Sequence, residues 1–124
     1  MDYDNFIAKV AERAGTPRGE AEALARATLQ TLAERITGGE AQDLAAQLPK
    51  PLQEAIPRRP PGTAEAFDLD EFERRVARRA GVPGDVVDRG IRAVFQTLSD
   101  AVTPGEFEDV LAQLPREFRP LASG

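Results

Sequence analysis

The chain has 124 residues, with 16 Lys and Arg, 21 Asp and Glu, no His and a net charge of -5. Hydrophobic residues make up 41% and charged residues 30%, which is typical of a soluble globular protein and excludes a disordered or strongly basic chain. The absence of cysteine excludes disulfides and thiolate metal sites, and no apolar run approaches the roughly 20 residues of a membrane span.

The N-terminal segment MDYDNFIAKV lacks the basic and apolar pattern of a signal peptide, so we expect a cytoplasmic protein. Asp2 is a candidate N-cap for a first helix, which Gly15 should end. A long helix should follow Pro17. Its apolar positions recur with the helical period of 3.6 and should face the core. They are Ala21, Ala25, Thr28, Leu29, Leu32 and Ile36.

The phrase TGGEAQDLAAQLP, residues 37–49, predicts a third helix. Thr37 can cap it by accepting a hydrogen bond from the third helical amide, and Glu40 can return a bond to the cap. Pro49 should end this helix and open a short fourth one that carries Leu52.

A proline-rich segment follows, and then the sequence repeats. Shifting the chain by 66 positions aligns the second part with the first without a gap, and about two in five aligned positions are identical. The duplicate begins at Asp68, with Glu71 placed to complete its capping box. It has Gly81, Thr103, Glu106 and Phe118 where the first part has Gly15, Thr37, Glu40 and Leu52. Its long helix should bury Val87, Ile91, Val94, Phe95, Leu98 and Val102.

These signals predict an all-α protein of two tandem pseudo-repeats, about four helices each, packed as one helical bundle-like unit. We place the first copy at residues 1–56, the proline-rich linker at 57–67 and the second copy at 68–121. Copies of this size bury too little surface to be stable alone, so one shared domain is expected.

Most catalytic machinery is excluded by composition. Without His or Cys, neither a Ser-His or Cys-His pair nor an imidazole or thiolate zinc site can form, and no P-loop pattern is present. Four acids, Glu106, Glu108, Asp109 and Asp100, could hold Mg²⁺ or Ca²⁺, but they lie where helix ends favour acids. We therefore expect no enzyme, cofactor or metal site, and keep a carboxylate-dependent enzyme as a third hypothesis.

Arginines form two adjacent rows on the first helix of the second copy. Arg74, Arg75, Arg78 and Arg79 could form a face for an anion, nucleic acid or another partner. The acidic net charge and nearby acids favour a solvated face with ion pairs instead. These four residues are the candidate binding residues, and nucleic acid is not the favoured ligand.

The repeated segments resemble a known family. DYDNFIAKVAERAG, TLQTLAERITGGEAQDLAAQLP, DEFERRVARRAGVP and LAQLPREF are similar to the bacterial domain-of-unknown-function family 2267 over nearly the whole chain. The most specific element is the phrase at residues 39–49 and 105–115. The resemblance implies an all-helical bacterial domain with no assigned activity, cofactor or catalytic residue.

The sequence therefore favours a non-catalytic binding or adaptor module of the bacterial cytoplasm. Its partner would be another protein or a small ligand in a groove between the copies, and spare apolar surface would favour a homodimer. The alternative is a nucleic-acid- or anion-associated protein that uses the arginine-rich face.

Overall fold

The protein is all-helical, as predicted. A computed structural model describes residues 1–123. The segment predicted as the first copy contains α1 (Tyr3–Ala14), α2 (Arg18–Arg35), α3 (Gly38–Ala46) and the short α4 (Lys50–Gln53). The segment predicted as the second copy contains α5 (Leu69–Ala80), α6 (Gly84–Ala101), α7 (Pro104–Ala112) and a 3₁₀ helix (Arg116–Ala122). The two names are kept for these segments, while the two-repeat architecture stays a prediction. None of the helices in this range combines the length and apolar character that crossing a bilayer requires.

The helix ends follow from the cap residues. The side chains of Asp2 and Asp68 each accept a hydrogen bond from the backbone amide three residues on, at 2.8 and 2.9 Å. Gly15 and Gly81 end α1 and α5 with φ of 67° and 66°, a left-handed conformation that suits glycine because it has no Cβ. The bounds of α5, α6 and α7 are those of α1, α2 and α3 plus 66 residues.

The long helices pack across the two copies. α1 makes its most extensive contact with α6, and α2 makes its most extensive contact with α5. Leu32 and Leu98 are both buried, and all the other predicted apolar positions of α2 and α6 are buried with them. One hydrophobic cluster draws on both copies. α1 therefore covers α6 and α5 covers α2, and the hydrophobic cluster includes residues from both sides of the linker.

The two long helices approach each other closely at Gly90. A Cβ placed on Gly90 of α6 would lie 2.5 Å from Leu24 Cδ2 on α2, well inside van der Waals contact. Leu24 is itself fully buried and occupies the position that corresponds to Gly90 after the shift of 66. The missing side chain of one copy therefore makes room for the large side chain of the other.

The linker contains no helix and lies against the first copy. Arg59 donates to the carbonyl of Ala33 at 2.6 Å, and the amide of Glu65 donates to the carbonyl of Glu34 at 2.9 Å. A Cβ at Gly38 would collide with the carbonyl oxygen of Pro60. The linker is therefore held against α2 and α3, while the division into domains stays a prediction.

Candidate functional site

Two of the four candidate arginines hold α5 against the first copy. Arg79 donates to Glu34 Oε2 at 2.7 Å and to Thr31 Oγ1 at 2.9 Å. Arg75 donates to Glu34 Oε1 at 3.0 Å, and its guanidinium carbon lies 3.9 Å from the centroid of the Phe67 ring. Burial opposes ionisation of Glu34, but the hydrogen bonds from Arg79 and Arg75 outweigh it and lower its pKa.

The contacts of Arg79 have a counterpart in the other half of the molecule. Arg13 on α1 donates to Thr97 Oγ1 at 3.0 Å and to Asp100 Oδ2 at 2.7 Å, both on α6. The shift of 66 relates Arg13 to Arg79, Thr97 to Thr31 and Asp100 to Glu34. The same arginine position thus ties each copy's first helix to the other copy's long helix, which is a structural role.

The other two candidate arginines face solvent. Arg74 donates to Glu71 Oε1 at 3.1 Å, and the second oxygen of Glu71 accepts from Arg75 at 2.8 Å. Glu71 therefore pairs with arginines and does not make the predicted return bond to Asp68. Arg78 is exposed and forms no salt bridge within residues 1–123. Ligand binding by the four arginines stays a prediction.

The repeated phrase begins α3 and α7, but its capping differs from the prediction. Thr37 and Thr103 each accept from the third helical amide at 3.2 Å, as predicted. The amide of Thr37, however, donates to Gln113 Oε1, and that of Thr103 donates to Gln47 Oε1, both at 2.8 Å. The start of each helix therefore lies beside the end of the other, and α3 and α7 run antiparallel.

The predicted capping role of Glu40 and Glu106 is consequently wrong. A capping-box glutamate returns a bond to the amide of the cap residue, and here a glutamine from the other copy already occupies that amide. The physical reason is the packing of α3 on α7, because it brings a glutamine side-chain oxygen from the other copy to each cap amide. Both glutamates are thereby free to turn toward each other.

Glu40, Glu106 and Asp109 form a carboxyl cluster between α3 and α7. One oxygen from each side chain lies within 4.8 Å of the others. Glu106 is only 8% exposed. Oε2 of Glu106 and Oε2 of Glu40 are both buried without a hydrogen-bond partner. Asp109 is exposed and leaves the cluster open to solvent on one side.

The charge of this cluster is not compensated. No Lys or Arg side chain in residues 1–123 lies within salt-bridge distance of the three carboxylates or of the neighbouring Asp43. Burial, followed by a hydrogen bond between the carboxyl groups of Glu106 and Glu40 and by the negative charges of Glu40, Asp43 and Asp109, raises the pKa of Glu106 to about 8. The cluster therefore favours anything that brings positive charge, whether a proton or a bound cation.

The structure separates the four acids that the sequence grouped as metal candidates. Glu106 and Asp109 join the cluster, whereas Glu108 faces Arg119 at 3.9 Å and Asp100 holds Arg13. Glu40 was absent from that group because it lies 66 residues away. The duplication contained the signal, since Glu40 is the counterpart of Glu106 and α3 and α7 are counterparts that pack together.

Two open surface cavities are lined by the second copy. The first is lined by Ala112, Leu114, Arg116, Arg119, Pro120 and Ser123, and the second by Glu73, Arg74, Ala77, Gly84 and Val87. Burial, together with Asp88 and Asp70, raises the pKa of Glu73. Met1 is the exposed large hydrophobic residue of the described chain. A partner groove between the copies and a homodimer both stay predictions.

Fold and cluster together define the class of protein. It is a small all-helical protein with a carboxyl cluster where α3 and α7 meet. The model of a family of uncharacterized conserved proteins, DUF2267, matches residues 3–121, and the chain belongs to that family. The resemblance found in the sequence is thereby confirmed. A search of curated proteins gave no significant match.

Proposed function

We propose that the protein is a non-catalytic binding module of the bacterial cytoplasm whose carboxyl cluster holds a positively charged ligand. The observation that supports this most directly is Glu106 Oε2, which is buried and has no hydrogen-bond partner. An unsatisfied buried carboxylate oxygen costs free energy, and a cationic ligand would remove that cost. The absence of a Lys or Arg paired with the cluster in the described residues also favours a cationic ligand.

The two copies supply this site jointly in the proposal. We take them as pseudo-equivalent repeats, so that α3 and α7 contribute corresponding glutamates on either side of the ligand. A ligand there would strengthen the contact between the copies. Because the ligand would bind the folded chain and not the unfolded one, it would stabilise the fold by mass action, without any covalent bond being made or broken.

The non-catalytic part of the proposal has its support in the residues. The chain has no His or Cys, which removes the side chains that most often act as general bases and nucleophiles. No second function is proposed, because two of the four candidate arginines already pair with Glu34.

Thermal unfolding with a panel of cations tests this proposal. The panel comprises Ca²⁺, Mg²⁺, Mn²⁺, spermidine and arginine amide, added to full-length chain washed with chelator. We expect at least one member to raise the melting temperature, since a ligand at about 100 times its Kd stabilises by about 2.7 kcal/mol. The rise should disappear in Glu106→Gln.

Glu108→Gln is the matched control, because it removes the same charge from an exposed position on the same helix. It should keep the rise in melting temperature. If no cation in the panel stabilises the protein, or if both variants respond alike, the proposed function is wrong.

A further inference from the structure

We propose that the ligand is a single oxygen-preferring divalent metal ion, held between the two copies by carboxylate oxygens of Glu40, Glu106 and Asp109. This inference rests on the proposed function and specifies its ligand. The three side chains come from α3 and α7, so the ion would join two helices that are 66 residues apart in sequence.

The spacing of the oxygens matches one coordination sphere. Two ligands on opposite sides of a metal ion are separated by twice the metal–oxygen distance, or about 4.8 Å for Ca²⁺ at its usual 2.3–2.6 Å. The three oxygens already lie within 4.8 Å of one another. The spacing therefore permits one ion to reach all three carboxylates.

Burial favours an ion over an organic cation. Oε2 of Glu40 and Oε2 of Glu106 have almost no contact with solvent, which leaves little room for a large ligand beside them. A lysine-like or guanidinium group would also need space for the stem that carries it. Asp109, which is exposed, gives an ion a path from solvent and leaves room for the water ligands that Mg²⁺ and Ca²⁺ keep.

The donor set selects the class of metal. All three donors are carboxylates, and the chain has no His or Cys to add nitrogen or sulfur. Hard ions such as Ca²⁺, Mg²⁺ and Mn²⁺ prefer oxygen ligands, whereas Zn²⁺ and Cu⁺ prefer sites with nitrogen or sulfur. The charge also fits, because a divalent ion offsets most of the negative charge of three carboxylates.

A shared proton is the competing explanation for the same geometry. If one proton joined Glu40 to Glu106, it would relieve the repulsion between them without any metal. The two explanations differ in a measurable way, because only the metal involves Asp109 as a ligand and only the metal makes stability depend on a chelator.

Isothermal titration calorimetry of the full chain distinguishes them. The protein is washed with EDTA and titrated with CaCl₂, MgCl₂ and MnCl₂ at about pH 8.5, where proton competition is reduced. We expect one ion per chain in the wild type and in Glu108→Gln. Affinity should fall at least ~10–100-fold in Asp109→Asn and Glu106→Gln, since loss of even a supporting partner costs that much.

Asp109→Asn keeps the test informative if Glu106→Gln fails to fold, because Asp109 is exposed. Absence of binding by all three ions would overturn the inference, as would unchanged affinity in folded Asp109→Asn. If spermidine or arginine amide stabilises the wild type through Glu106 while the metals do not, this inference fails and the proposed function stands.

Discussion

At the scale of single residues, the polar positions shared by both copies have contacts that one copy cannot explain. Arg13 and Arg79 each reach a threonine and an acid on the other copy's long helix, and Gln47 and Gln113 each cap the other copy's third helix. The sequence shows that these residues recur. It does not show that their partners lie across the copies, because spacing along one helix reports only local neighbours.

Among these pairs, substitution of Glu34 should lower the stability of the protein most. It accepts from both Arg75 and Arg79, and its side chain is only 19% exposed. Glu34→Ala should lower the free energy of unfolding by about 1.5–3 kcal/mol, the range for hydrogen bonds to charged groups. Urea unfolding at neutral pH measures this. Glu20→Ala, on the same helix and without a salt bridge, is the control and should change stability little.

The difference in free energy of unfolding between wild type and Glu34→Ala should depend on pH, because the pKa of Glu34 is lowered in the folded protein. A carboxyl with a depressed folded pKa stabilises the protein above its unfolded pKa of about 4.3, and the stabilisation is lost as pH falls through the folded value. The difference in free energy of unfolding between wild type and Glu34→Ala should therefore narrow as the pH falls below about 4.3. A gap that stays constant with pH, or one that Glu20→Ala reproduces, would contradict the assignment.

At the scale of helices, the local signals predicted the elements well. Aspartate caps and left-handed glycines gave the ends of α1 and α5, and the 3.6-residue stripes gave the buried faces of α2 and α6. What they missed is which helices meet. α2 also buries Leu24 and Ala33 because it contacts helices of both copies, and Gly90 carries no hydrophobic signal although it sets the α2–α6 approach.

Gly90→Ala tests that approach. The added methyl would overlap Leu24, and overpacking costs about 1–3 kcal/mol, partly offset by alanine's helix preference of about 1 kcal/mol. We expect a net loss of up to about 2 kcal/mol in chemical denaturation. Gly84→Ala in the open first turn of α6 is the control and should show no such loss.

Repeating Gly90→Ala in Leu24→Ala protein tests whether the loss of stability comes from contact with Leu24. In Leu24→Ala protein the space beside Gly90 is vacant, so Gly90→Ala should become neutral or stabilising there. If Gly90→Ala costs the same in both backgrounds, the contact between these two residues does not limit how closely α2 and α6 pack.

At the scale of the whole molecule, the carboxyl cluster is a property of the two copies together. Each copy contributes one glutamate from a repeated phrase, and neither phrase alone predicts a site, since an acid three residues after a threonine is an ordinary helix start. The cluster exists because α3 packs antiparallel on α7 and glutamines replace the glutamates at the caps. That arrangement could be inferred from the sequence only by knowing that corresponding helices pair.

The most direct test is a crystal structure of the full chain grown with Mn²⁺, with anomalous diffraction used to locate the ion. We predict one strong anomalous peak between α3 and α7, at a metal–oxygen distance of about 2.0–2.6 Å from Glu40, Glu106 and Asp109. An ordered structure with no anomalous peak between α3 and α7 would contradict the account.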